Sequence, residues 1–277
     1  MPEKITFGGY GKRPGKFRYN YGVAVSADNE IYMTDLKNKR VQVFSMNGTY
    51  LRLFPTVVPG ENMTMFPVSV ALDVGPGYLW VLGKRRLYYS EGHVVQYSKN
   101  GEPIKKFEVS LGSFHSVSAM DVRNNKVILG YEHTITMVDP NGSRFWSSNV
   151  STEYGIGGVK WDTEGNILLT DGYKTVQMYN QSGVKIFEFG TYGKAKGQLP
   201  HPRGICLDSY GRIIVTNSMS KNNRVDMFTR QGEFVRTIAD IKGPWGVAMG
   251  PCGELVVTSP SKFTYTATIF PRHMVLP

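Results

Sequence analysis

Six copies of one pattern, spaced 41 to 48 residues apart, run the length of this 277-residue chain and restrict what it can fold into. The first copy reads Gly22-Val-Ala-Val-Ser-Ala-Asp-Asn-Glu-Ile-Tyr-Met-Thr-Asp35, then Lys39-Arg-Val-Gln-Val-Phe44, then Asn47-Gly-Thr-Tyr-Leu-Arg-Leu-Phe54. The fifth repeats it as Gly204-Ile-Cys-Leu-Asp-Ser-Tyr-Gly-Arg-Ile-Ile-Val-Thr-Asn217, Asn223-Arg-Val-Asp-Met-Phe228 and Gln231-Gly-Glu-Phe-Val-Arg-Thr-Ile238. Fainter copies begin near Val68, Val117, Gly158 and Gly246. A period of this size, with apolar segments of four to six residues alternating in twos, predicts strands and not helices. Short turns such as Asp28-Asn29, Asn47-Gly48, Asn141-Gly142 and Gln231-Gly232 separate the segments and suit tight hairpins. Four antiparallel strands per copy make one blade of a propeller.

The sixth copy supplies only three strands before the chain ends. The missing fourth is available at the other end, where Lys4-Ile-Thr-Phe-Gly-Gly9 matches Ile186-Phe-Glu-Phe-Gly190, the last strand of the fourth copy. The expectation is therefore an all-β, six-bladed β-propeller of four-stranded antiparallel blades, formed by residues 1–277 as a single domain. Its last blade would be closed by the N-terminal strand, which leaves no long unpaired edge.

The pattern Gly-Val-Ala-Val…Ile-Tyr-Met-Thr-Asp…Lys-Arg-Val-Gln-Val-Phe…Asn-Gly, preceded by Phe7-Gly-Gly and Gly15-Lys-Phe17, resembles the NHL repeat. The likeness extends over essentially the whole chain; it is strong in the first and fifth copies and poor in the second and third. NHL propellers commonly form the C-terminal domain of tripartite-motif proteins. The resemblance therefore implies a non-catalytic module that selects an RNA or a protein substrate. Ubiquitin ligation would belong to a RING in a longer parent. Oligomerisation would come from a coiled coil, and these residues contain neither signature.

Charge sharpens that expectation. The chain carries 32 Lys and Arg against 22 Asp and Glu, a net charge of +10, which favours anionic partners. In a four-stranded meander the turns between first and second strands (a–b) and third and fourth strands (c–d) share one face. The b–c and d–a loops share the other. Acids such as Asp28, Glu30, Asp73, Asp139, Glu164 and Glu233 gather on the first face, whereas Lys and Arg dominate the second. Aromatic side chains are interleaved there with the cations, a combination suited to single-stranded nucleic acid, in which phosphates meet cations and bases stack on rings. The candidate partner-binding residues are Arg18, Tyr19, Lys37, Lys39, Arg40, Lys84, Arg85, Arg86, Tyr88, Tyr173, Lys174, His201, Arg203, Lys221, Arg224, Lys262 and Phe263. The run Lys84-Arg85-Arg86 breaks the repeat and is the densest cluster. Arg40 and Arg224 occupy one repeat position, so an alternative structural role, pairing with Asp35 or Asn217, stands beside the functional one.

An enzyme is not expected. The five histidines, at 93, 115, 133, 201 and 273, are scattered, and no Cys-x-x-Cys, His-Glu-x-x-His, P-loop or nucleophile elbow occurs. No catalytic set, metal set or cofactor is predicted, nor duplex DNA or a membrane as partner, since the apolar runs are only strand-sized. Two isolated cysteines and no apolar leader point to a cytoplasmic setting.

Overall fold

A computed structural model describes residues 3–73, 77–87, 91–111, 118–219, 222–261 and 264–276. The N-terminal strand β1 (Ile5–Gly8) is followed by five complete meanders. Blade one is β2 (Val23–Val25), β3 (Glu30–Asp35), β4 (Arg40–Ser45) and β5 (Tyr50–Pro55). Blade two is β6 (Phe66–Leu72), β7 (Leu79–Lys84), β8 (Glu91–Tyr97) and β9 (Pro103–Ser110). Blade three is β10 (Ser118–Arg123), β11 (Lys126–Tyr131), β12 (Thr134–Val138) and β13 (Arg144–Asn149). Blade four is β14 (Gly158–Trp161), β15 (Ile167–Thr170), β16 (Val176–Tyr179) and β17 (Lys185–Phe189). Blade five is β18 (Pro202–Leu207), β19 (Ile213–Asn217), β20 (Arg224–Phe228) and β21 (Phe234–Asp240). The last blade comprises β22 (Val247–Met249), β23 (Leu255–Ser259) and β24 (Thr266–Phe270). Each forms a four-stranded antiparallel sheet, and β1 completes the last one by pairing Ile5 with Ile269 and Gly8 with Thr266. The predicted fold, including closure by the N-terminal strand, is the observed one.

Burial follows strand position. The two middle strands of each blade lie between neighbouring blades and are apolar on both faces: Ile31, Tyr32 and Met33 in β3, and Ile213, Ile214 and Val215 in β19, are all fully buried. The outer strands alternate, as β17 does with Ile186 and Glu188 exposed and Phe187 and Phe189 half-buried, because one face meets solvent. The inter-blade clusters, such as Tyr32 with Val81 and Val95, or Leu168 with Ile205 and Val215, bind adjacent sheets face to face.

At the centre the blades meet backbone to backbone. Thr216 in β19 accepts a hydrogen bond from the Gly204 amide at 2.8 Å and donates to the carbonyl of Trp245 in the next blade at 2.6 Å. Thr258 in β23 repeats the arrangement, accepting from the Gly246 amide at 2.8 Å and donating to the Tyr21 carbonyl of blade one at 3.0 Å. Thr170 likewise donates to the Arg203 carbonyl at 2.6 Å. The glycines are required because a Cβ at Gly204 would collide with the Trp245 carbonyl, and one at Gly246 with that of Tyr21. The Thr258 contact therefore fastens the end of the chain to its beginning, and Asn20 adds a second fastening through its side-chain amide to the Thr266 carbonyl at 2.8 Å.

Replacing Thr258 by Val strands the Gly246 amide and is expected to cost about 1–3 kcal/mol. Thr191→Val, at an exposed loop position, is expected to stay within about 0.5 kcal/mol. Urea denaturation of both variants measures the difference.

Candidate functional site

The buried cations were the ambiguous members of the predicted set, and the structure commits them to the frame. Arg40, first residue of β4, donates through Nε to Asp35 at 2.7 Å and through its terminal nitrogen to the carbonyls of Arg13 and Lys16 at 3.1 and 2.9 Å. Arg224, first residue of β20, pairs with Asp226 at 2.5 Å and donates to the carbonyls of Lys194, Ala195 and Gln198. The partner of Arg224 is thus an acid on its own strand and not Asn217, which instead donates to the same Asp226 carboxylate at 2.9 Å. Both guanidiniums staple a d–a loop onto the sheet and are spent on that task, so neither is available to a partner.

The predicted Lys84-Arg85-Arg86 cluster is split. Lys84 ends β7 and is buried in the wall of the central cavity, where burial pulls its ammonium below the ordinary lysine range, partly offset by Glu132. Arg85 is exposed but paired with Glu61 at 2.9 Å, and Arg86 is exposed on the surface. A sequence run points every member the same way only in a list; at the end of a strand alternate side chains face opposite sides. Tyr88, Lys221, Lys262 and Phe263 lie outside the described residues, as does His115.

The remaining residues assemble two aromatic groups on the b–c/d–a face. The first is a ladder at the cavity mouth. The Lys37 ammonium sits 4.6 Å over the Tyr19 ring, Tyr19 stacks on Tyr21 at 5.8 Å, and Tyr21 meets Trp245 at 5.0 Å. The Arg203 guanidinium closes the ladder 4.7 Å over Trp245. Burial pulls Arg203 below the ordinary arginine range, and it also pushes the Tyr21 phenol up to about 12, which keeps that phenol protonated at neutral pH. Among the described residues no carboxylate forms an ion pair with Lys37 or Arg203. Of the other two predicted residues of this blade, the Arg18 amide donates to Asp35 at 2.7 Å, and the Lys39 ammonium lies 4.5 Å over Phe66. The cavity itself, about 790 Å³, runs down the axis between the six innermost strands, and among its described lining residues there is no histidine.

The second group lies at blades four and five. Tyr173 contacts Tyr154 edge-on at 5.2 Å and Tyr192 face-on at 5.1 Å, and His201 touches all three. Lys174 places its ammonium 5.5 Å over Tyr173. Tyr154 and Tyr192 are 56% and 41% exposed, so the rings present area to solvent. The loop containing Tyr192 is the one that Arg224 staples. Tyr192 was missed from sequence, although the signal existed: Phe189-Gly-Thr-Tyr-Gly-Lys194 repeats Phe7-Gly-Gly-Tyr-Gly-Lys12, which places Tyr192 and the exposed Tyr10 at one repeat position.

A cluster that the sequence reading did not foresee lies on the outer half of blade two. Glu61, His93 and Glu108 bring one nitrogen and two carboxylate oxygens within 4.8 Å of one another. Sequence spacing could not reveal it, since one member comes from an irregular loop and two from paired strands.

Six four-stranded blades around an axial cavity, with cations and rings on one face, define a six-bladed β-propeller with a surface suited to binding. Among proteins of known sequence, the chain is 22% identical to the mouse E3 ubiquitin-protein ligase TRIM32 over 287 residues, covering 90% of this chain and 41% of that protein. It is 29% identical over 106 residues to the Drosophila melanogaster protein brain tumor, covering 38% and 10%, and 28% identical over 95 residues to mouse NHL-repeat-containing protein 4, covering 34% and 67%. The chain is homologous to these proteins, and its six-bladed propeller is consistent with an NHL-repeat domain; it spans less than half the length of the first two. No family model matches it. Among solved structures, a Bacteroides thetaiotaomicron protein of unknown function superposes with a TM-score of 0.70 at 13% identity, covering 96% of this chain and 76% of that one. Staphylococcus aureus virginiamycin B lyase superposes at 0.63 and 14%, covering 93% and 81%. At such identities these likenesses show the fold alone. No helix among the described residues is long and apolar enough to cross a membrane.

Arg224→Ala removes the staple and leaves Asp226 buried without its cation, and it is expected to cost about 3–5 kcal/mol. Lys37→Ala is expected to fall within about 0.5 kcal/mol. Chemical denaturation of the two variants separates a frame cation from a surface one.

Proposed function

We propose that this propeller is a non-catalytic binding platform whose b–c/d–a face takes single-stranded RNA. The observation that carries this reading is the sorting of cations on that face: buried Arg40 and Arg224 are consumed by the frame, while Lys37, Lys174 and half-buried Arg203 sit over aromatic rings. Phosphates would meet these cations, and unpaired bases would stack on Tyr154, Tyr173 and Tyr192, whose rings are sequence-tolerant surfaces. As part of a longer protein built like TRIM32, the propeller would select what the ligase acts on, and its own residues would contribute no step of ubiquitin transfer.

A second reading, recognition of a protein substrate through the same face, is favoured by the exposed Tyr10 and Tyr154, since tyrosine is enriched at protein interfaces. Fluorescence anisotropy with short single-stranded RNA across a salt series distinguishes the two. The RNA reading expects saturable binding whose affinity falls with salt, with a logarithmic slope of roughly −0.7 per phosphate contacted. The double variant Tyr173→Ala, Tyr192→Ala is expected to bind at least tenfold more weakly, since each stacked base contributes about 1–3 kcal/mol. No saturable binding at low salt, or affinity indifferent to salt, would reject RNA in favour of a protein partner.

A further inference from the structure

The stapling position described above has a different occupant in blade two. Strand register places Arg40 opposite Asp35 and Arg224 opposite Asn217 at the junction of strands b and c. The same junction in blade two pairs Gly83 with His93. Strand b therefore brings no acid or amide, and strand c brings an imidazole in place of a guanidinium. His93 is 1% exposed, and among the described residues neither ring nitrogen has a hydrogen-bond partner. A buried polar ring left in that state is costly, on the order of 1–3 kcal/mol per unsatisfied group.

What surrounds the ring is chemically specific. Glu108 lies directly opposite His93 in the β8–β9 ladder, so both side chains project from the same face of the sheet. Glu61, from the loop between β5 and β6, brings Oε1 to 3.7 Å from Nε2 of His93. The d–a loop is thus the same element that Arg40 and Arg224 hold in their own blades. We propose that Glu61, His93 and Glu108 bind a divalent transition-metal ion, with Zn²⁺ the best match, and that the ion replaces the arginine staple by joining the loop to the outer strands of blade two.

One imidazole nitrogen and two carboxylate oxygens, with water in the fourth position, suit zinc. They are too few and too nitrogenous for calcium, which takes six to eight oxygens. Tetrahedral ligands at about 2.0–2.1 Å from the ion lie about 3.4 Å apart. The three atoms therefore need to close in by roughly 1 Å, which the exposed Glu108 and the loop-borne Glu61 can supply by side-chain rotation. Glu61 is also held by Arg85 through Oε2 and by Lys106 through Oε1. The ion competes with Lys106 for Oε1, and the long Lys106 stem can carry its ammonium out to solvent. This competition makes the site weaker than a closed structural zinc centre, and it gives Lys106 a predictable influence on affinity.

The test uses the untagged protein in a Cys252→Ser background, stripped with chelator, with Zn²⁺ and Mg²⁺ as the probes and melting temperature as the readout. Zinc at a hundredfold excess over its Kd is expected to raise the melting temperature by about 5–10 °C, and magnesium to leave it unchanged. Glu108→Gln, at an exposed position, and His93→Ala should each weaken zinc binding at least tenfold, whereas Lys106→Met should strengthen it. Substituting Co²⁺ should give the visible absorption of a four-coordinate site in the parent protein and lose it in Glu108→Gln. No zinc-dependent shift, a shift equally given by magnesium, or one that survives Glu108→Gln would overturn the proposal.

Discussion

The hydrogen bond from a threonine hydroxyl in strand b to a backbone carbonyl at the start of the next blade's strand a is the contact on which the ring depends. It recurs from Thr170 to Arg203, from Thr216 to Trp245 and from Thr258 to Tyr21, and the last of these spans the seam between the chain's two ends. Glycine at positions 204 and 246 is the companion requirement, because two backbones approach where a side chain would otherwise sit. Apolar packing between blades supplies most of the burial, but it is non-directional. The threonine–glycine contact fixes where each innermost strand lies, and so fixes the axial cavity and the ladder of rings at its mouth. Trp245 and Tyr21 are accepting residues of these bonds and members of that ladder, so frame and surface share atoms within one residue.

The sorting of cations follows from the same geometry. A d–a loop must cross from the outer strand of one blade to the inner strand of the next, and its carbonyls need donors. Arg40 and Arg224 supply them from the first position of strand c, each neutralised by a buried acid. Burial pushes the Asp35 and Asp226 carboxyls up, against the pull of the donors around them. Those arginines are therefore positioning residues: they hold the loops that present Tyr10, Tyr192 and the surface lysines. Blade two, with glycine at 83 and histidine at 93, needs a different device.

Much of this was legible in the sequence. The repeat, the tight turns and the unfinished sixth copy specified the ring and its closure, because strand period and hairpin chemistry are local properties. Which cations reach solvent was not. Lys84 reads as part of a basic run, yet its strand-end position turns it into the cavity wall while Arg85 turns outward to Glu61. Arg224 reads as a partner for Asn217, but the acid two residues along its own strand wins because it is charged and places a carboxylate oxygen 2.5 Å from the guanidinium. Tyr192 was hidden in an irregular loop until that loop was aligned with the one at Tyr10. The Glu61–His93–Glu108 cluster depends on register across β8 and β9 and on a loop path, neither of which spacing encodes.

The central claim is that one face of the ring, with its loop-borne rings and unspent cations, is where a single-stranded partner lies. Photo-crosslinking of short RNA containing 4-thiouridine, with the crosslinked residues located by mass spectrometry, tests it most directly. The predicted result is crosslinking confined to the b–c and d–a loops, at Tyr19, Tyr154, Tyr173, Tyr192 or Trp245, and suppressed by salt. Crosslinks centred on the opposite turns around Asp139, Gln181 or Tyr210, or none above background at low salt, would contradict it.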